Sequence, residues 1–187
     1  TKTGDFFLDG YWQSPLYFQD IREVLLDDFV LTDPLNQYGE DIAAEMKNTN
    51  SVSVHVRRGD YVKNPSVLKE FGICSKGYYQ KAISFIKNKV DNPKFFIFSD
   101  DIDWVKRNLA VRNEVIFVGD ISVTDTEELY LMSMCKHNII ANSSFSWWGA
   151  WLNQNPYKVV IAPTPWFDTV TYDSNLIPDS WTQLPKN

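Results

Sequence analysis

From residue 51 onward, short apolar runs alternate with amphipathic ones, and that rhythm leaves few folds open. Residues 51–57 put Val52, Val54 and Val56 on one side and Ser53 and His55 on the other, the period of a half-buried strand. Tyr79, Ala82, Ile83, Ile86 and Val90 then follow the spacing of a helical face. Residues 94–98 read as a strand, Ile102, Val105 and Leu109 as a short helix, and 115–118 as another strand. Residues 125–135 form a helix that is apolar almost all round; 137–141 predict a strand, 146–154 a helix and 157–161 the last strand. Strands joined by helices need right-handed crossovers, which yield a mainly parallel sheet. The expected fold is α/β: a Rossmann-like, mainly parallel sheet with helices on both faces.

The first fifty residues are different. Ser14-Pro15 pairs a cap residue with proline at a first helical position, and Phe18, Ile21, Val24, Leu25 and Phe29 follow at helical spacing. A second helix is expected over 36–47, with Ile42 and Met46 on one face. The chain therefore divides into a helical segment, 1–50, and a main domain, 51–187. Residues 61–76 are polar, contain Pro65 and Gly72, and read as a loop. A loop of that length in a compact domain is more often functional than structural. The tail from Ala162 shows no periodicity and is expected to wrap the surface.

Composition narrows the function classes. Hydrophobic residues make up 44% and aromatics 15% of 187 residues, enough for a sizeable core. A net charge of −6 argues against a nucleic-acid surface. Cys74 and Cys135 are the two cysteines, far apart and without ligand spacing, so neither a disulfide framework nor a zinc site is expected. Both read as reduced thiols of a cytoplasmic protein. No apolar run approaches the length of a membrane span, and no charged-then-apolar leader opens the sequence. Neither Gly-x-Gly-x-x-Gly nor Gly-x₄-Gly-Lys-Ser/Thr is present, which disfavours NAD or ATP as the ligand.

Open α/β sheets bind ligands beyond the carboxyl ends of their strands. The strand at 51–57 delivers His55, Arg57, Arg58 and Asp60 there. An arginine fork matches phosphate oxygens bidentately, although a lone Arg-Arg pair can equally be bridged to acidic neighbours. Alternating strand geometry would send the two arginines opposite ways, unless the pleat breaks at Gly59 and lets them converge. Asn142-Ser-Ser-Phe-Ser146 lies between a strand and a helix, where hydroxyls and N–H groups favour an anion; plain N-capping is the alternative. Asp125-x-x-Glu128 reads as a capping box. His137 reads as structural. Trp148 and Trp151 are expected in the core, with Gly149 permitting close helix–sheet contact.

Three segments carry a family resemblance. His-x-Arg-Arg-Gly-Asp-Tyr at 55–61 resembles the first motif of the α-1,2-fucosyltransferases, glycosyltransferase family 11, which use GDP-fucose. The tryptophan-rich segment 135–151 is similar to that family's most distinctive stretch, and Phe-Ser-Asp-Asp at 98–101 is a third match in the same order. The resemblance implies half of a GT-B-type glycosyltransferase, inverting and metal-independent, with no further cofactor. It implies transfer of fucose from GDP-fucose to the 2-hydroxyl of a galactoside-terminated glycan acceptor. Arg57 and Arg58 would then hold the diphosphate, and Ser143, Ser144, Phe145 and Ser146 would form the second phosphate element. Asp100 and His55 would contact the base, because a carboxylate accepts guanine's paired N1–H and N2–H₂ donors. Asp60 is the nearest candidate general base, unless it orients Arg58; Glu70 is another, and the third alternative is a base supplied by the family's acceptor-binding half.

Members of that family normally open with a Gly-Gly-x-Gly-Asn-Gln segment and an acceptor-binding half. The eight glycines here form no such cluster. The expectation is a C-terminal, donor-binding portion, with 1–50 a remnant of, or link to, the acceptor domain, and inactive alone. The alternative is a GDP-binding module that catalyses nothing. The expected location is cytoplasmic, with a peripheral place on the inner face of a membrane as the variant of that reading.

Overall fold

The computed structural model describes residues 4, 5, 7, 9, 14–109, 115–119, 123–169 and 174–187. Among these residues six strands, β1 Asn50–Val56, β2 Pro93–Ser99, β3 Val115–Val118, β4 His137–Ile139, β5 Val160–Thr164 and β6 Thr182–Pro185, form one sheet in the order β3-β2-β1-β4-β5-β6. Every pairing is parallel. The helices are α1 Arg22–Asp28, α2 Gln37–Asn48, α3 Gly59–Lys63, α4 Pro65–Phe71, α5 Lys76–Lys89, α6 Ile102–Asn108, α7 Asp125–Met134 and α8 Ser144–Leu152. After β3 the chain returns past β1 to add β4 on its other edge, so strand order reverses between β1 and β4. That reversal opens a crevice at the carboxyl ends of the two strands.

Both faces of the sheet are covered. Val52, Val54, Val56, Phe95 and Ile97 pack with Tyr78, Tyr79, Ala82 and Ile86 of α5. Phe96 and Phe98 pack on the opposite face with Ile42 and Met46 of α2 and Leu131 and Met132 of α7. The strand β1 is consequently buried on both sides rather than half-buried, as parallel sheets require. Its polar positions are tied down instead: Asn138 Nδ2 donates to Ser53 Oγ at 2.8 Å, and the Lys136 N–H to Ser51 Oγ at 3.1 Å. A third cluster joins Phe18, Trp147, Trp151, Trp166 and Trp181 beside β5, so the early segment packs directly on the main domain.

Several expectations change. The early helix is two 3-10 turns, Pro15–Tyr17 and Gln19–Ile21, followed by the short α1. Residues 61–76 are not an open loop. Asn64 caps α4 with Pro65 in its first turn, and Gly72, at φ 61, stops it in a conformation that suits glycine. The capping box of α7 is Thr124 with Glu127, not Asp125 with Glu128. The helix after β4 begins at Ser144, two residues before the expected start. The fifth strand is shifted to 160–164, and the tail contributes β6, which pairs with β5. Trp147 is the fully buried tryptophan of α8, Trp151 is buried as expected, and Trp148 is half-buried, stacked on Phe18 at 5.0 Å. Gly149 serves a helix–helix contact, not a helix–sheet one: a Cβ there would lie 2.9 Å from Met132 Cβ of α7. His137 is structural, its Nδ1 accepting from the Val159 N–H at 3.0 Å. No helix among the described residues is long and apolar enough to cross a membrane.

Candidate functional site

An open cleft of about 1730 Å³ lies over the strand ends. His55, Arg57, Asp60, Glu70, Asp100, Ser143, Ser144 and Phe145 all line it, so eight of the ten residues singled out from sequence converge. Arg58 and Ser146 do not line it.

The two arginines diverge. Arg57 reaches into the cleft, where one guanidinium nitrogen lies 2.8 Å from Asp60 Oδ1 and the other 3.2 Å from Asp100 Oδ2. Arg58 turns away, pairing with Asp101 at 3.3 Å and lying over the Trp104 ring at 4.1 Å, with 13% of its side chain exposed. Asp100 fastens the turn between them: its Oδ1 accepts the Arg58 backbone N–H at 2.8 Å. Glycine at 59 lets this carboxylate come close, since a Cβ there would stand 2.6 Å from Asp100 Oδ2.

His55 is 4% exposed, and its Nδ1 has no hydrogen-bond partner within the described protein. Burial is the main reason its pKa falls to about 4, so the imidazole is neutral at ordinary pH. The Phe145 ring lies 5.7 Å away. Ser143 is the N-cap residue of α8 and makes no side-chain cap bond, which leaves its hydroxyl uncommitted to its own helix. Ser146 is buried, its hydroxyl directed at the carbonyls of Ser143 and Ala141 at 3.4 and 3.5 Å. It braces the turn rather than facing the cleft.

Sequence reasoning missed several lining groups. Because Thr124 and Glu127 satisfy the cap of α7, Asp125 and Glu128 are released to the cleft. Two overlapping box patterns one residue apart were the available signal. Burial above all, then the charges of Asp125 and Asp100, raises Glu128 to a pKa of about 7. Gly119, at φ 91, packs against this carboxyl after β3. Tyr61, Phe71, Trp166 and Phe167 line the cleft as well, on the side of β4 and β5.

The amino-acid pattern and the geometry coincide with one family: the description "Glycosyl transferase family 11" matches residues 2–183. This chain belongs to glycosyl transferase family 11. It is 40% identical over 183 residues to an α-1,2-colitosyltransferase of Escherichia coli, covering 95% of this chain and 62% of that protein. It is 36% identical over 182 residues to the O-antigen biosynthesis glycosyltransferase WbnK of Escherichia coli, covering 95% and 60%. The mouse (Mus musculus) galactoside 2-α-L-fucosyltransferase Sec1 is 30% identical over 151 residues, covering 76% of this chain and 41% of that protein. The chain thus spans about three fifths of the length of its bacterial relatives.

In this family member the aromatic end of the cleft is held by buried polar groups. Asn142 Nδ2 donates to the carbonyls of Phe71 at 2.7 Å and Trp166 at 3.1 Å. The Tyr61 hydroxyl donates to the Asn142 carbonyl at 3.1 Å. Lys186, fully buried, donates to the Phe71 carbonyl at 2.6 Å and pairs with Asp168 at 2.6 Å. The Asp168 N–H in turn donates to the Glu70 carbonyl at 2.8 Å. Both cysteines are free and buried; burial pushes the Cys74 thiol up to about 12 and raises Cys135 strongly.

Proposed function

We propose that the protein binds GDP-fucose in this cleft and transfers fucose to the 2-hydroxyl of a galactoside-terminated glycan, this chain supplying the donor side of a GT-B enzyme. One observation carries the reading: Arg57 and the Ser143–Ser144 start of α8 meet in one cleft at the strand-order reversal. Breaking the glycosidic bond to the β-phosphate builds negative charge on the departing diphosphate while the sugar becomes oxocarbenium-like. A guanidinium and the N-terminal N–H groups of a helix stabilise that charge where it develops. With these supplying the positive charge, the proposal includes no metal requirement. Arg58 acts as a positioning residue, because it holds Asp101 and Trp104 while its backbone fastens Asp100.

The base fits the acidic end. Asp100 presents a carboxylate to the N1–H and N2–H₂ donors of guanine, Glu128 lines the same end, and the unpartnered His55 Nδ1 offers a further acceptor. Asp60, beside Arg57 at the rim, is the nearest candidate to take the proton of the acceptor hydroxyl, with Glu70 on α4 the next. The location proposed is cytoplasmic, supported by two buried thiols that form no disulfide; a peripheral place on the inner membrane face is the variant of that proposal.

Calorimetric titration with GDP-fucose, GDP and ADP tests the donor assignment. Tighter binding of GDP than ADP is expected, and equal affinities would remove guanine from the reading. Radiolabelled fucose transfer to a β-galactoside then separates a transferase from a module that binds GDP and stops there.

A further inference from the structure

The cleft is chemically lopsided. Asp100 follows β2 and Glu128 packs on Gly119 after β3, whereas Phe71 is tied through Asn142, after β4, to Trp166, after β5, so the sheet order separates an acidic end from an aromatic one. The rings of Tyr61, Phe71 and Phe167 form a continuous wall, with centroids 5.3 Å apart from Tyr61 to Phe71 and 5.0 Å from Phe71 to Phe167. Arg57 joins the two ends: it pairs with Asp100 on one side and lies 5.7 Å from the Tyr61 ring on the other. A nucleotide sugar is linear, with base and sugar on opposite sides of its diphosphate. If the diphosphate sits at Arg57 and the base at the carboxylates, the sugar lies against the aromatic wall.

The ring faces of that wall offer no hydrogen-bond partner to a hydroxyl group, and the polar atoms behind them are engaged. The carbonyls of Phe71 and Trp166 already accept from Asn142, Phe71 also accepts from Lys186, and the Asn142 carbonyl accepts from Tyr61. The carboxylates of Asp60 and Glu70 remain at the rim for the ring hydroxyls of a sugar. A methyl group against the rings keeps its contacts and has no hydrogen bond to lose. A hydroxymethyl group packed against the ring faces, away from those carboxylates, gives up water without regaining a partner.

We infer that Tyr61, Phe71 and Phe167 form the subsite for the methyl-bearing edge of the transferred sugar and select a 6-deoxyhexose over its 6-hydroxylated counterpart. The inference rests on the proposed reading of the cleft as a GDP-sugar site. Lys186 and Asn142 act in it as positioning residues, fixing the backbone that carries the wall.

The test pair is GDP-L-fucose and GDP-L-galactose, which differ only by the 6-hydroxyl, titrated alongside GDP into the intact chain. GDP-L-fucose is expected to bind about tenfold to a hundredfold more tightly than GDP-L-galactose, the discrimination an apolar pocket gives against an added hydroxyl. Phe71→Ala and Phe167→Ala should each bring that ratio towards one while leaving the affinity for GDP within about twofold. Phe71→Leu, which keeps an apolar side chain and guards against a misfolded alanine variant, should retain part of the preference. Equal affinity of the native chain for the two sugars overturns the inference alone, as does an equal loss of GDP and GDP-fucose binding in the phenylalanine variants. A folded native chain that binds no GDP overturns the nucleotide reading and this one with it.

Discussion

The divergence of Arg57 and Arg58 turns two adjacent, identical residues into an internal control. Arg57→Ala removes the cation that lines the cleft, and a charge-assisted hydrogen bond is worth about 1.5–3 kcal/mol. At about 1.4 kcal/mol per tenfold, GDP affinity should fall by roughly tenfold to 150-fold. Stability should change little, because 35% of the Arg57 side chain is exposed and its partners Asp60 and Asp100 remain open to water. Arg58→Ala reverses the pattern. It removes a cation over the Trp104 ring, worth about 0.5–2 kcal/mol, and a partly exposed pair with Asp101, worth about 0.2–1 kcal/mol. A total near 1–2 kcal/mol lowers Tm by about 2–8 °C in a chain of this size.

Calorimetry with GDP gives the first quantity and scanning calorimetry of the free protein the second. The expected result is a crossed pair: binding lost with Tm kept for Arg57→Ala, and Tm lost with most binding kept for Arg58→Ala. Unchanged GDP affinity in Arg57→Ala refutes the phosphate role. An Arg58→Ala variant that keeps its Tm but binds as weakly as Arg57→Ala refutes the division of labour.

Other outcomes follow from the same geometry. Glu128, raised to about 7, holds its proton more tightly when folded, so this group favours folding more as pH falls from about 7 towards 4.5; His55, lowered to about 4, costs stability as pH falls from 6.5 towards 4. The two oppose each other, and Glu128→Gln should steepen the fall of Tm on acidification in that window; an unchanged slope would show that Glu128 titrates normally. Lys186→Met should cost about 1–3 kcal/mol in denaturant unfolding and weaken GDP-fucose binding more than GDP binding, since Phe71 loses a hydrogen bond and Asp168 its partner. EDTA should leave fucose transfer by the full-length enzyme intact, and a loss reversed only by manganese would refute charge stabilisation by Arg57 and α8 alone.

The strand ends were legible in the sequence because their chemistry is local. His55, Arg57 and Asp100 follow runs of alternating or continuous apolar residues, and the sheet brings such ends together by its connectivity. What depends on a second element was not legible. The outward turn of Arg58 is set by Asp101 and Trp104, which arrive from β2 and α6. The strand β6 carries one apolar residue facing the core, Leu184, and is selected by backbone pairing with β5 rather than by its own pattern. Helices of five and seven residues, as in α3 and α4, are too short for a 3.6-residue period to emerge. Lys186 ran against every prior, because lysine is almost never fully buried unless paired, and Asp168 is not its neighbour in sequence.

The charge balance of the cleft leads to a last prediction. Among the described residues lining it, Arg57 carries the positive charge, against Asp60, Glu70, Asp100, Asp125 and Glu128. The whole chain is also negative, at −6. An anionic diphosphate is therefore repelled at long range and held only by short contacts to Arg57 and the first turn of α8. Salt screens the two unequally, since the Debye length is about 10 Å at 0.1 M and a direct ion contact lies well inside it. Raising salt from about 20 to about 200 mM should weaken GDP binding by less than about threefold in the native chain. In Arg57→Ala, where repulsion is left without its counterpart, the residual affinity should rise over the same range. A tenfold or steeper loss in the native chain would mean that binding is driven by a cationic field this cleft does not have, and would place the phosphates elsewhere on the protein.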